Sequence, residues 1–180
     1  MIKQTLLALM GATLFATSAF AGVVGSGTPT SCTRAALQAQ IDAGGTITFN
    51  CGAGPQTIAI PSSLFFGSAD SKITIDGNDT ITLDATGTTT GMISIFGNAT
   101  GLPNVTLKHI TLANGDISTG FNAGGTIQNF GNLTLDSITL RNSKAGSAIV
   151  QEPCTGCLTP SLTITHCLFQ NNSSSPINMQ

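Results

Sequence analysis

The chain has 180 residues and a formal net charge of −2 at pH 7, from six Lys plus Arg against eight Asp plus Glu. Binding to a polyanion needs clustered Lys and Arg, so the composition argues against nucleic acid as a partner. Charged residues make up only 8%, but hydrophobic residues reach 41%, which excludes a disordered chain, and Thr, Ile and Val far outnumber the helix-forming Lys, Glu, Gln and Arg, which points to strands and turns.

Residues 1–21 read as a signal peptide. Lys3 supplies the basic start, Leu6 to Phe15 the apolar stretch, and Ala19-Phe20-Ala21 a small-x-small cleavage site. The apolar stretch is too short for a membrane anchor and lacks a basic stop-transfer flank, so no integral membrane span is expected. Cleavage after Ala21 removes Lys3 and leaves five basic and eight acidic residues, a net of −3. The expected location is secreted or cell-surface, where disulfides persist. Residues 22–45 form an N-terminal segment in which Ser31 or Thr33 caps a short helix through about Ile41. Leu37 and Ile41 share one face, and Gly44-Gly45 ends the helix. Cys32 and Cys51 flank this helix-turn-strand segment and are expected to pair.

Residues 46–180 carry the strongest pattern in the chain. Three segments align without gaps: Val105-Thr-Leu-Lys-His-Ile-Thr-Leu-Ala-Asn114, Leu133-Thr-Leu-Asp-Ser-Ile-Thr-Leu-Arg-Asn142 and Leu162-Thr-Ile-Thr-His-Cys-Leu-Phe-Gln-Asn171. Their starts are 28 and 29 residues apart. A fixed period with apolar positions in register marks a stacked repeat. Apolar residues alternate within each segment, which is strand periodicity, and the phase slips by one between Leu107 and Ile110, where the chain turns a corner. No crossover helix lies between repeats, so the chain must coil, each turn about 4.8 Å above the last. The fold class expected is all-β: a right-handed parallel β-helix with a short N-terminal capping helix. Weaker copies at Thr46 to Phe49, Thr57 to Ile60, Lys72 to Asp76, Thr80 to Asp84 and Met92 to Ile95 bring the count to about five coils, starting near Ile47, Ile73, Val105, Leu133 and Leu162.

The recurring Asn114, Asn142 and Asn171 are expected to form an asparagine ladder, each inward amide bonding turn backbone and the Asn above. Cys154 and Cys157 admit three readings: a tight disulfide, a redox pair or half a zinc site. Zinc needs four ligands, and only His166 and Cys167 lie nearby in sequence. Cys167 shares the register of Ile110 and Ile138, so it is expected to be a buried core thiol, leaving Cys154 and Cys157 to pair with each other. The helix forms a lid over the first coil, whereas no comparable cap follows Phe169. The chain therefore reads as truncated at its C-terminus, or as self-associating at an uncapped end.

Cys32-Thr-Arg-Ala-Ala-Leu37 followed by Gly44-Gly-Thr-Ile-Thr-Phe49 resembles the N-terminal cap and first coil of bacterial right-handed β-helix repeat proteins. Their capping helix commonly reads Cys-x-Leu-Arg-x-Ala and precedes a Gly-Asp-Thr-Ile-x-Phe strand; here Thr33 precedes Arg34 without the Leu, and Gly45 takes the Asp position. Gly125-Thr-Ile-Gln-Asn-Phe-Gly-Asn-Leu-Thr-Leu135 is similar to coils of the same group and of polymorphic outer-membrane proteins. The resemblance spans most of residues 31–174. It implies a pectin-lyase-like fold, shared by adhesins, autotransporter passengers and polysaccharide-degrading enzymes, and the fold alone does not choose among them.

Hydrolysis of a polysaccharide needs paired carboxylates, and Ca²⁺-assisted lyase chemistry needs several carboxylates with a base. The best cluster is Asp76, Asp79 and Asp84, but Asp beside Gly and Asn is also what tight turns want, and the turn reading is preferred. His109 and His166 fall at equivalent positions two coils apart, too far to share a metal, and are expected to face solvent. Lys108 and Asp136 are adjacent in register and are expected to form a minor surface pair. No residue is assigned a catalytic, cofactor or metal role, and no cofactor is expected. The leading expectation is an exported surface or secreted protein with a binding, adhesion or structural role, meeting glycans or a cell-surface partner. The alternative is a fragment of a polysaccharide-degrading enzyme.

Overall fold

The computed structural model describes residues 22–67, 71–117, 124–144, 146–152, 158–173 and 175–179. Residues 1–21, read above as a signal peptide, and Cys154 and Cys157 lie outside the described residues. The chain opens with strand β1 (Gly22–Val24) and helix α1 (Arg34–Ala43), and β-structure then continues to the end. The first coil holds β2 (Gly45–Phe49), β3 (Gln56–Ala59) and β4 (Leu64–Phe66). The second holds β5 (Lys72–Asp84) and β6 (Ile93–Phe96), and the third β7 (Asn104–Ala113) and β8 (Gly124–Phe130). The fourth comprises β9 (Asn132–Asp136), β10 (Thr139–Arg141) and β11 (Ser147–Gln151). The fifth comprises β12 (Ser161–Thr165), β13 (Leu168–Gln170) and β14 (Ile177–Met179).

Every strand pairing is parallel, and each coil pairs with the coils before and after it. The chain is thus a parallel β-solenoid of about five turns, with one helix near its N-terminus. Each coil makes three runs. The first two belong to one bent nine-stranded sheet, and the third builds a separate five-stranded sheet in the order β14-β11-β8-β6-β4. The three aligned sequence segments are the first two runs of coils three, four and five, paired in the expected register: Val105 with Leu133, and Leu133 with Leu162.

The corner has a local cause. His109, Ser137 and His166, between the first and second runs, have φ of 49°, 54° and 53°. One left-handed residue rotates the pleat and lets both flanking runs face the same interior. Asn114, Asn142 and Asn171 do the same after the second run, with φ of 62°, 58° and 50°. Asn is the side chain that tolerates this conformation best after Gly, because its short amide bonds locally.

Inward side chains stack in aliphatic columns. Ile47, Ile75, Leu107 and Leu135 follow one another in register, each 0% exposed. Leu64, Ile93, Ile127, Ile149 and Ile177 form the equivalent column of the third runs. Burying one such side chain contributes roughly 1.5–3 kcal/mol, and the columns together form one continuous core.

The N-terminal end is covered. Thr33 caps α1, its Oγ1 accepting from Ala36 N–H at 3.1 Å, while Ser31 instead donates to Thr28 O. Leu37 and Ile41 bury against the first coil, β1 pairs with the outer edge of β2, and Cys32 and Cys51 form a disulfide. Arg34 ties the helix down by donating to Ser62 O and Ser63 O. The fifth coil has a neighbour on one side only among the described residues, so Leu162, Ile164, Cys167, Phe169 and Ile177 stay half-buried. This corrects the expectation for Cys167. It holds the inward register position, but with no described coil above it the thiol is only half-buried.

Candidate binding surface

The outer face of the first runs carries three side-by-side columns. Thr46, Thr74, Thr106, Thr134 and Thr163 are consecutive in register, giving five outward threonines, one per coil. On one side stand Lys72, Asn104, Asn132 and Ser161. Asn132 donates from Nδ2 to Asn104 Oδ1 at 3.2 Å, and Ser161 Oγ donates to Asn132 Oδ1 at 2.9 Å. On the other side stand Asp76, Lys108, Asp136 and Thr165.

In this last column Lys108 is in register with both Asp76 and Asp136. Its ammonium pairs with Asp76, Nζ to Oδ2 at 2.9 Å, and not with Asp136 as the sequence suggested. Asp76 also accepts from Asn78 N–H at 3.1 Å and faces His109 Nδ1 at 3.2 Å. Burial alone would raise the Asp76 pKa, but Lys108, the Asn78 N–H and His109 outweigh it and hold the carboxyl below the usual range. Asp136 repeats the motif two coils on. His166 Nδ1 lies 3.4 Å from its Oδ1, and with Ser137 and Thr165 it holds Asp136 below the usual range. Both histidines therefore face a carboxylate one coil below, on the outside of the corner.

The three singled-out carboxylates do not converge on one centre. Asp76 is bound to its own turn and to Lys108. Asp79 is exposed and left-handed, with φ of 56°. Asp84 stands at the far end of the same strand, accepting from Thr86 N–H at 2.8 Å, Thr86 Oγ1 at 2.6 Å and Asn114 Nδ2 at 2.9 Å. Burial works against its ionisation, yet these donors and Arg141 keep its pKa low. Asn142 Nδ2 donates in turn to Asn114 Oδ1 at 3.3 Å. The amide ladder thus starts on a carboxylate, running Asp84, Asn114, Asn142. Asn171 shares the corner geometry but is exposed. The ladder residues Asn114 and Asn142 are half-buried.

The second coil is longer at this corner. Asp76 to Ile81 on β5 spans the register that Lys108 to Ile110 spans on β7. The extra residues leave a groove of about 280 Å³ lined by Thr48, Phe49, Asp76, Gly77, Asn78 and Thr80. On the third-run sheet, Phe65, Phe96 and Phe130 stack outside the coil, with centroids 5.2 Å and 5.4 Å apart. Phe65 and Phe96 are 50% and 40% exposed, so this stack is a surface feature and not core. Gly67 makes it possible, because a Cβ there would collide with the Phe65 ring that leans across it. No sequence argument singled out these rings.

What fold and surface define is a parallel β-solenoid with long polar outer columns and an exposed aromatic stack. Comparison with family models, curated proteins and solved structures finds no match to this chain.

Proposed function

We propose that the chain is an exported surface protein whose solenoid is a rigid binding and adhesion scaffold, its outer columns meeting glycans or another cell-surface partner. The observation that carries this reading is the unbroken column of five outward threonines, flanked by asparagine and alternating-charge columns at the fixed coil spacing. Hydroxyls and amides held on a rigid sheet give many hydrogen bonds at little ordering cost, which suits a repetitive polar ligand. The signal-peptide pattern and the resemblance to bacterial β-helix repeat proteins support the same setting. So does the way Asp76 and Asp84 spend their lone pairs on their own turns and on neighbouring coils.

The test is retention of the purified chain on immobilised glycans and on intact cells, beside a variant with Thr74, Thr106 and Thr134 all changed to Val. The expected result is binding by the parent and at least about a tenfold loss in the variant, since several hydrogen bonds go together. Equal binding by both, with the variant folded, would sink the role of the column. Release of oligosaccharides from a polysaccharide substrate would overturn the non-catalytic reading.

A further inference from the structure

Three oxygens at the corner between the second and third runs of coils three and four are buried and have no hydrogen-bond partner among the described residues. They are Asp116 Oδ1, Thr126 Oγ1 and Ser143 Oγ. Thr126 is 0% exposed and Ser143 1%, while Asp116 is half-buried with its Oδ1 shielded from solvent. Their backbones are drawn to one place. Lys144 N–H donates to Gly115 O at 2.9 Å, which lays the Ser143–Lys144 peptide on the Gly115–Asp116 peptide. The consecutive N–H groups of Gly91 and Met92 donate to Asp116 O at 2.8 Å and Thr126 O at 3.1 Å. Gly115 sits between them, and a Cβ there would collide with Thr126 Oγ1 and Gly125 O.

A buried hydroxyl without a partner is costly, and a buried carboxylate oxygen without one is costlier. Asp116 makes no ion pair among the described residues. An internal water would serve the two hydroxyls, whereas a cation would also meet the shielded Asp116 oxygen with the opposite charge. The donor set is all oxygen, which matches a hard cation and not a thiolate- or imidazole-loving one.

We propose that this corner is a Ca²⁺ site, with the Asp116 carboxylate as its charged ligand and the Thr126 and Ser143 hydroxyls as neutral ones. Main-chain carbonyls and water complete the six to eight oxygens that Ca²⁺ takes. One carboxylate places the site in the weak class, with Kd of about 10⁻⁴–10⁻³ M, the range of extracellular modules. The bound ion would clip the third coil to the fourth where neighbouring backbones already meet.

The test is calorimetric titration of the EDTA-treated chain with CaCl₂, joined to melting curves with and without Ca²⁺. The expected result is one site in that Kd range and a rise in Tm. Asp116→Asn should weaken binding at least about tenfold, while Asp42→Asn on the exposed face of α1 leaves it unchanged. Thr126→Val separates a ligand from a merely structural residue: removing an unpartnered hydroxyl should raise the metal-free Tm and yet weaken Ca²⁺ binding. It also serves as the test should Asp116→Asn fail to fold. No heat and no Tm shift at about 10 mM Ca²⁺, or undiminished binding by either corner variant, would overturn the assignment.

Discussion

Substituting Leu107 by Ala should destabilise the chain far more than substituting Ile164, although both lie in the same inward column. Leu107 is 0% exposed, with Ile75 below it and Leu135 above, each also 0% exposed. The strand ladders hold neighbouring coils about 4.8 Å apart, so the shell around a deleted side chain cannot close over the hole. A large-to-small change at a site that cannot collapse costs about 3–5 kcal/mol, the upper part of the usual range. Ile164 touches Leu135 on one side only and is half-buried, so its removal gives up part of the transfer energy and creates no enclosed cavity. About 1–2 kcal/mol is expected there. Urea unfolding followed by circular dichroism gives both values from the midpoint and slope, and an unchanged slope shows that the same surface is exposed in each case. Losses within about 0.5 kcal/mol of each other would refute the reasoning, because they would mean that burial in the column does not grow toward the middle of the stack.

Reducing the Cys32–Cys51 disulfide, whose cysteines are 19 residues apart, should cost about 3 kcal/mol, measured as a drop in urea midpoint with dithiothreitol present. Asn142→Ala should cost about 1–2 kcal/mol by losing the amide bond to Asn114 and forcing φ of 58° on a residue that resists it; Asn142→Gly should recover the conformational part, and equal losses would show that the left-handed corner costs nothing. Asp76, Asp84 and Asp136 all have depressed pKa values in the folded chain. Their contribution is therefore present above the ordinary Asp value of about 3.9 and lost as pH falls through the lower folded values. Stability should decline below about pH 4, with a smaller decline in Asp76→Asn, and a pH-independent urea midpoint from pH 5 to pH 2 would contradict the depressed values.

The register of the first two runs was legible because Val105, Leu133 and Leu162 head segments of equal length and alternation. The third run was legible only in part, at Met92 to Ile95. Val150 points away from the aliphatic column of that sheet yet is also buried, so β11 lacks the polar alternation that marks a strand with one wet face. The segments joining the third runs also differ in length, which removes the fixed period. The β14 pairing was missed for this reason, in a tail that reads as Asn and Ser. The corner position holds His, Ser and His, types that share no propensity, so its left-handed backbone was hidden while the phase slip was plain. The threonine column was present in all three aligned segments, at Thr106, Thr134 and Thr163. The partner of Lys108 was not readable, since two carboxylates share its register. The Phe65–Phe96–Phe130 stack and the Asp116 corner depend on residues brought together from different coils at irregular spacing, which no single-sequence period reveals.

The lid of β1 and α1 gives the molecule a direction of assembly. The ribosome delivers the N-terminus first. The covered end and the first coil can therefore form before later coils exist, and each new coil finds a formed strand edge about one repeat behind it in sequence. Such short loops close at small entropic cost. Growth then resembles templated zippering, in which a single edge, always the most recent, is open to wrong partners at any moment.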